Sequence, residues 1–94
     1  MKLLIALLAF MTAMPALAQD LLTAEEFDSY TQGKTLFYGR SGTAYGAEIY
    51  RENRRVTWSF LDGECKEGEW YEANGLICFV YEDTVDPQCW QFFR

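Results

Sequence analysis

The sequence contains no histidine, and this absence removes whole classes of chemistry. Histidine is the commonest general base and metal ligand in proteins, and it completes Ser-His and Cys-His catalytic pairs. The chain also lacks a CxxC motif, a cysteine spacing typical of zinc sites and a glycine-rich phosphate-binding motif. We therefore expect no catalytic residue, no metal ligand and no cofactor, and we expect that the protein is not an enzyme.

Basic residues are scarce, with eight Lys and Arg against fourteen Asp and Glu. The formal net charge of −6 becomes −7 if Lys2 is removed with an N-terminal signal. Phosphate backbones attract patches of Lys and Arg, so we expect no nucleic-acid partner. The acidity is consistent with solubility and also with attraction to a basic partner.

Long hydrophobic runs are absent except at the N-terminus. There Lys2 precedes an apolar stretch at residues 3–14, and residues 15–18 end in an Ala-x-Ala site. A transmembrane helix needs about 20 apolar residues, whereas this arrangement is typical of a cleaved signal peptide. We predict a signal peptide at residues 1–18 and one small domain at residues 19–94, periplasmic or secreted, monomeric and not inserted in a membrane.

The spacing of apolar residues in this domain changes once. Thr23 and Glu26 form a capping-box pattern, which predicts a helix from Ala24 to Gln32. After Gly33 the apolar residues recur at a period of two and are separated by short turns, which predicts antiparallel strands. The expected fold is α+β and mostly β, with a short N-terminal helix packed on a five- to six-stranded antiparallel meander. The pattern leaves open whether the sheet closes partly into a barrel.

Alternation along the strands predicts which side chains face the core. In the third strand we expect the even-numbered residues of 56–60 to face inward. In the second strand we expect the odd-numbered residues of 45–49 to do so, leaving Glu48 and Tyr50 on the outer face. Residues 76–81 are apolar on both faces, which is typical of a central strand.

The chain has three cysteines, so one thiol is left over from any internal disulfide. If the last hairpin turns after Tyr81 so that this residue pairs with Asp86, then Cys78 lies opposite Cys89, and we predict a disulfide between them. A Cys65–Cys89 bridge and a fully reduced chain are the alternatives. Cys65, among carboxylates, is expected to be a free thiol or to pair with another molecule, and it is a poor nucleophile there.

Aromatic residues beside charged positions suggest a binding surface, although aromatic side chains in so small a domain are also needed in the core. The candidate surface consists of Tyr50, Trp70, Tyr71, Tyr81, Glu69 and Glu72. Its expected ligand is a glycan or a basic loop of another envelope protein.

Three segments, at residues 70–72, 75–81 and 87–90, follow the predicted signal peptide and the predicted helix in the sequence. In this arrangement the chain resembles a group of small exported proteins of alphaproteobacteria. The resemblance covers most of the mature chain and implies export, but it brings no activity.

Taken together, these features favour a non-catalytic binding or structural module of the cell envelope. One alternative is an acidic inhibitor of a lytic envelope enzyme, whose acidic loops would enter a basic cleft. Another is a carboxylate glycosidase, which requires two acids that converge in a cleft.

Overall fold

The helix forms where the capping pattern places it. The computed structural model describes residues 20–94, and the predicted signal peptide lies outside this range and stays a prediction. Helix α1 spans Ala24–Thr31. The Glu26 N–H donates to Thr23 Oγ1 at 3.1 Å, and the Thr23 N–H donates to Glu26 Oε1 at 2.9 Å. The predicted capping box is therefore confirmed.

Six strands follow the helix and form one sheet. They are β1 (Thr35–Arg40), β2 (Thr43–Tyr50), β3 (Arg55–Ser59), β4 (Cys65–Ala73), β5 (Leu76–Tyr81) and β6 (Gln88–Trp90). Each strand pairs antiparallel with the next, in the order β1-β2-β3-β4-β5-β6. Because short connections join the strands, each lies beside its neighbour in sequence. The predicted α+β meander is confirmed, and the sheet curls into a half-barrel.

The segment before α1 pairs with the segment after β6. Leu21 bridges Phe93 in antiparallel fashion, and the Leu22 N–H donates to the Phe92 carbonyl at 2.8 Å. These contacts continue the sheet by a few residues beyond β6. They also hold the start of α1 against the concave side of the sheet.

The core lies between α1 and one half of the concave face. Phe27 of α1 inserts its ring among four others, with ring centroids 4.6–6.4 Å away. The four partners are Tyr50, Trp70, Phe79 and Phe92. Burial of such large rings is the main stabilising contribution available to a domain of this size.

The predicted orientation of β3 is confirmed in part, but that of β2 is wrong. Val56 is fully buried on the concave side, whereas Phe60 is 54% exposed at its open end. In β2 the even-numbered residues face the concave side: Glu48 is 3% and Tyr50 2% exposed, while Ile49 is 39% exposed. A glycine and a glutamate occupy the inward positions of β2, so its inward face does not look apolar in the sequence.

The last hairpin has the predicted register. Ile77, Cys78 and Phe79 pair with Trp90, Cys89 and Gln88, respectively. Cys78 and Cys89 form a disulfide. Within residues 20–94, no helix has both the length and the apolar character needed to cross a membrane.

Candidate functional site

The half of the concave face that α1 leaves uncovered forms a cleft of about 560 Å³, which we call the concave cleft. Nine aromatic residues line it: Tyr38, Tyr45, Tyr50, Trp58, Phe60, Phe79, Tyr81, Trp90 and Phe92. Five polar residues complete the lining: Arg40, Glu48, Lys66, Gln88 and Gln91. The cleft is thus mostly apolar with a few polar groups, as small-molecule sites usually are.

Two glycines shape the floor of the cleft. A Cβ atom on Gly46 would lie 2.2 Å from the indole ring of Trp58. A Cβ atom on Gly68 would lie 2.4 Å from the Val80 carbonyl oxygen and 2.7 Å from the ring of Tyr81. Because neither residue has a side chain, Trp58 and Tyr81 can lie flat across the neighbouring strands.

A bulge brings another ring to the mouth of the cleft. The register of β1 and β2 shifts between Tyr38 and Gly39, so that Tyr45 has no cross-strand partner in this pair. Such an extra residue breaks the alternation of a strand and redirects its side chain. The Tyr45 ring lies 6.3 Å from that of Trp58, which in turn meets Phe60 edge-on at 5.2 Å.

Glu48 is the acidic residue at the floor of the cleft. The Tyr81 hydroxyl donates a hydrogen bond of 2.8 Å to Glu48 Oε1. Oε2 is buried and receives no hydrogen bond from any part of the chain that the structure describes. Burial raises the pKa of Glu48 to about 7, against a smaller lowering effect of the Tyr81 hydrogen bond. The carboxyl group is therefore poised between its neutral and charged forms near neutral pH.

Three tyrosine hydroxyl groups surround this acid. Tyr38 and Tyr50 are hydrogen-bonded to each other through their hydroxyl groups at 2.5 Å. Burial raises the pKa of Tyr38 to about 12 and raises the pKa values of Tyr50 and Tyr81 well above the usual range. All three are neutral hydrogen-bonding groups at physiological pH.

The charged residues at the rim of the cleft, Lys66 and Arg40, are basic, whereas Glu48 at its floor is acidic. Lys66 Nζ lies 2.9 Å from Asp83 Oδ2, so the positive charge of Lys66 already has a partner. Arg40 lines the cleft from the end of β1. Among the described residues that line the cleft, Glu48 is the one carboxylate, whereas glycosidases use two.

The structure does not bring the six residues of the predicted binding surface together at one site. Tyr50 and Tyr81 line the concave cleft together. Trp70 is buried in the core, where the guanidinium of Arg54 lies 4.3 Å from its ring centroid.

The other three predicted residues lie away from the cleft. Tyr71, next to Trp70 on β4, points to the opposite face of the sheet. Glu69 lines a more open depression with Tyr81, which therefore contributes to both sites. Glu72 accepts a hydrogen bond from the Gly75 N–H. The surface that the sequence suggested as one unit is thus split between two faces.

The cysteines also lie apart from the cleft lining. The disulfide ties β5 to β6, and Cys78 is buried. Cys65, at the start of β4, is exposed and has no disulfide partner among residues 20–94. The bridge fixes the strand that carries Gln88 and Trp90 against β5, and so helps to hold one wall of the cleft.

The period-two pattern of the sequence does not indicate that Tyr38, Glu48, Trp58 and Phe60 form one site. The sequence feature that could have indicated the site is Gly46, two residues before Glu48. A glycine inside a strand often marks a place where another group approaches closely. Cross-strand pairing then brings Glu48 opposite Trp58.

The arrangement provides one buried acceptor atom within an aromatic cavity. Glu48 Oε2 can accept a hydrogen bond from an N–H or O–H group of a ligand, and the surrounding rings can cover the apolar part of that ligand. No protein-family model, curated protein or solved structure matches the chain. The fold and cleft define a small β half-barrel with a concave aromatic site.

Proposed function

We propose that this protein is an exported, non-catalytic binding module that holds a small amphipathic molecule in the concave cleft. The observation that carries this proposal is the buried, unpaired Oε2 of Glu48 in a cavity lined by nine aromatic residues. Ligand sites typically occupy about 300–1,000 Å³ and combine apolar walls with a few polar groups. The concave cleft fits this description.

The hydrogen bond from Tyr81 accounts for Oε1 of Glu48, but fold stability gives no reason for the buried, unpaired Oε2. Buried polar atoms without a hydrogen-bond partner are rare, because an unmade hydrogen bond costs about 1–3 kcal/mol. A side chain between Leu36 and Trp58, the cross-strand neighbours of Glu48, needs only one acceptor atom for the Tyr81 hydroxyl, and the second oxygen of Glu48 adds that cost. The acid is better explained as a group that is satisfied when a ligand is bound.

Export is supported by the N-terminal signal pattern and by the disulfide, which is typical of oxidising compartments. We propose a periplasmic or secreted location, where the module acts as a monomer on a ligand of the cell envelope or its surroundings. Peptide mapping of the exported protein should find an N-terminus at Gln19. An N-terminus at Met1 on the exported protein would contradict cleavage.

The binding function can be tested with four small probes of different chemistry. These are 2-phenylethylammonium, 2-phenylethanol, 3-phenylpropanoate and N,N′-diacetylchitobiose, the last as a model glycan. Each is titrated into the exported protein while backbone and indole N–H signals are followed by NMR. We expect at least one probe to shift the signals of Trp58 and Trp90 in a saturable way.

A matched pair of variants locates the binding. Phe60, just after β3, is 54% exposed, and Phe37, on the edge strand β1, is 66% exposed. Phe60 lines the cleft and Phe37 does not. Phe60→Ala should weaken binding of the active probe, and Phe37→Ala should leave it unchanged. If no probe binds, or if the two variants have equal effects, the proposed binding function is wrong.

A further inference from the structure

The free oxygen of Glu48 restricts what a ligand must present to it. Glu48 Oε2 is buried, and none of residues 20–94 donates a hydrogen bond to it. The oxygen atoms of an ionised carboxylate accept hydrogen bonds and do not donate them. In its ionised form Glu48 therefore requires a hydrogen-bond donor at Oε2.

The hydrogen-bond partners of Glu48 indicate that this donor is cationic. A buried carboxylate becomes favourable in its ionised form when a cation lies beside it. Lys66 is paired with Asp83 at the rim, and the hydrogen bond that Glu48 receives comes from the neutral hydroxyl of Tyr81. The ionised form of Glu48 thus lacks a cationic hydrogen-bond partner within the described chain.

The aromatic walls favour the same kind of group. Trp58 lies opposite Glu48 on β3, and its ring is 6.0 Å from that of Tyr38. The faces of Trp and Tyr rings attract ammonium groups, most strongly where water is excluded. A carboxylate with such rings around it is a suitable environment for an organic cation.

On the basis of the binding function proposed above, we infer that the concave cleft takes a protonated primary amine on an apolar or aromatic stem. The ammonium N–H groups donate to Glu48 Oε2, and the stem lies among the rings of Trp58 and Phe60. The assigned ligand carries a single ammonium group, because Glu48 is the one carboxylate among the described residues that line the cleft.

The assignment makes binding depend on pH in a defined direction. The other titratable or charged side chains that line the cleft are Tyr38, Tyr45, Tyr50, Tyr81, Arg40 and Lys66. Burial raises the pKa values of Tyr38, Tyr50 and Tyr81 above their usual range. Burial raises the pKa of Glu48 to about 7. Below that pH, the ammonium displaces a proton from Glu48 as it binds.

The decisive comparison is between 2-phenylethylammonium and its neutral analogue 2-phenylethanol. We expect the ammonium to bind the exported protein about 10- to 100-fold more tightly, as for a hydrogen bond to a charged partner. Its affinity should rise by up to about tenfold per pH unit between pH 5 and pH 7 and then level off. The alcohol should show no such rise.

Variants connect this preference to Glu48. Glu48→Gln keeps a similar shape but removes the charge, and it should abolish the preference for the ammonium and its pH dependence while the alcohol still binds. Glu69→Gln removes a charge from an exposed position outside the cleft lining and should change neither property.

The outcomes separate this inference from the binding function itself. If the alcohol or 3-phenylpropanoate binds in the cleft as tightly as the ammonium, or if Glu48→Gln has no effect on the preference, the amine assignment is wrong and the binding function stands. If none of the four probes binds, both are wrong.

Discussion

The Tyr81 hydroxyl donates a 2.8 Å hydrogen bond to Glu48 across the concave face, between residues separated by 33 positions in the chain. The two residues lie on β5 and β2, with β3 and β4 between them in the sheet. The tyrosine side chain can reach across because Gly68 of β4 leaves room for its ring. This contact links the two halves of the half-barrel and orients the acid at the floor of the cleft.

Replacing Tyr81 by Phe should raise the pKa of Glu48 above about 7. The hydroxyl group favours the charged carboxylate, and its loss leaves Oε1 without this donor, which costs about 1–3 kcal/mol of stability where the acid is charged. A carbon-detected NMR titration of the Glu48 carboxyl group measures the pKa directly. The control is Tyr71→Phe, which removes a hydroxyl group from the opposite face of β4. Equal Glu48 pKa values in the two variants would contradict the role of Tyr81.

The burial of Glu48 should make the protein less stable as the pH rises. The folded state holds the Glu48 proton up to about pH 7, whereas the unfolded state loses it near 4.5. Between these pH values the folded state binds more protons, so this group's contribution to the free energy of unfolding falls, by about 3 kcal/mol in total. The contribution is fully present below pH 4.5 and lost above pH 7.

Glu48→Gln isolates this contribution, because the amide resembles the neutral acid and does not titrate. The free energy of unfolding is measured with urea at pH 4.5 and at pH 8. From the lower to the higher pH, the difference between the variant and the wild type should change by about 3 kcal/mol in favour of the variant. Glu69→Gln, at an exposed position, should follow the wild type. A constant difference between Glu48→Gln and wild type at both pH values would rule out a raised pKa.

The order and pairing of the strands could be predicted from sequence because turn chemistry is local. Asn74 and Gly75 both have positive φ, at 54° and 80°, as a tight hairpin turn requires, and Ala73 pairs with Leu76 around them. The position of the last turn likewise set Cys78 opposite Cys89. Each of these features depends on residues close together in the chain.

The candidate site could not be predicted in the same way. A glutamate between Ala47 and Ile49 suggests a solvent-facing position, because charged side chains are seldom buried. Its burial depends on Trp58 covering Gly46 and on Tyr81 reaching from a distant strand. These contacts become visible only when the sheet curls, and a period-two pattern carries no information about curvature.

The disulfide should account for a large share of the stability of this domain. Cys78 and Cys89 are separated by 11 positions, and closing a loop of this size typically contributes about 2–4 kcal/mol. Intact-mass analysis should show the oxidised protein lighter by two hydrogen atoms than the reduced one, and reduction should lower the free energy of unfolding by that amount. Cys65→Ser should change neither result. A fully reduced exported chain would contradict the bridge, and a doubled mass would show a dimer through Cys65.

Gly46 should be required for the position of Trp58 and hence for the cleft. Gly46→Ala places a methyl group 2.2 Å from the indole ring, and we expect it to displace the ring and to cost about 1–3 kcal/mol, as overpacking usually does. The Trp58 indole N–H signal should shift, and ligand binding in the cleft should weaken. A double-mutant cycle with Trp58→Leu tests the cause, because the cost of Gly46→Ala should largely disappear once the indole is gone. If the cost is the same in both backgrounds, the glycine is needed for the backbone of β2 and not for the ring that covers it.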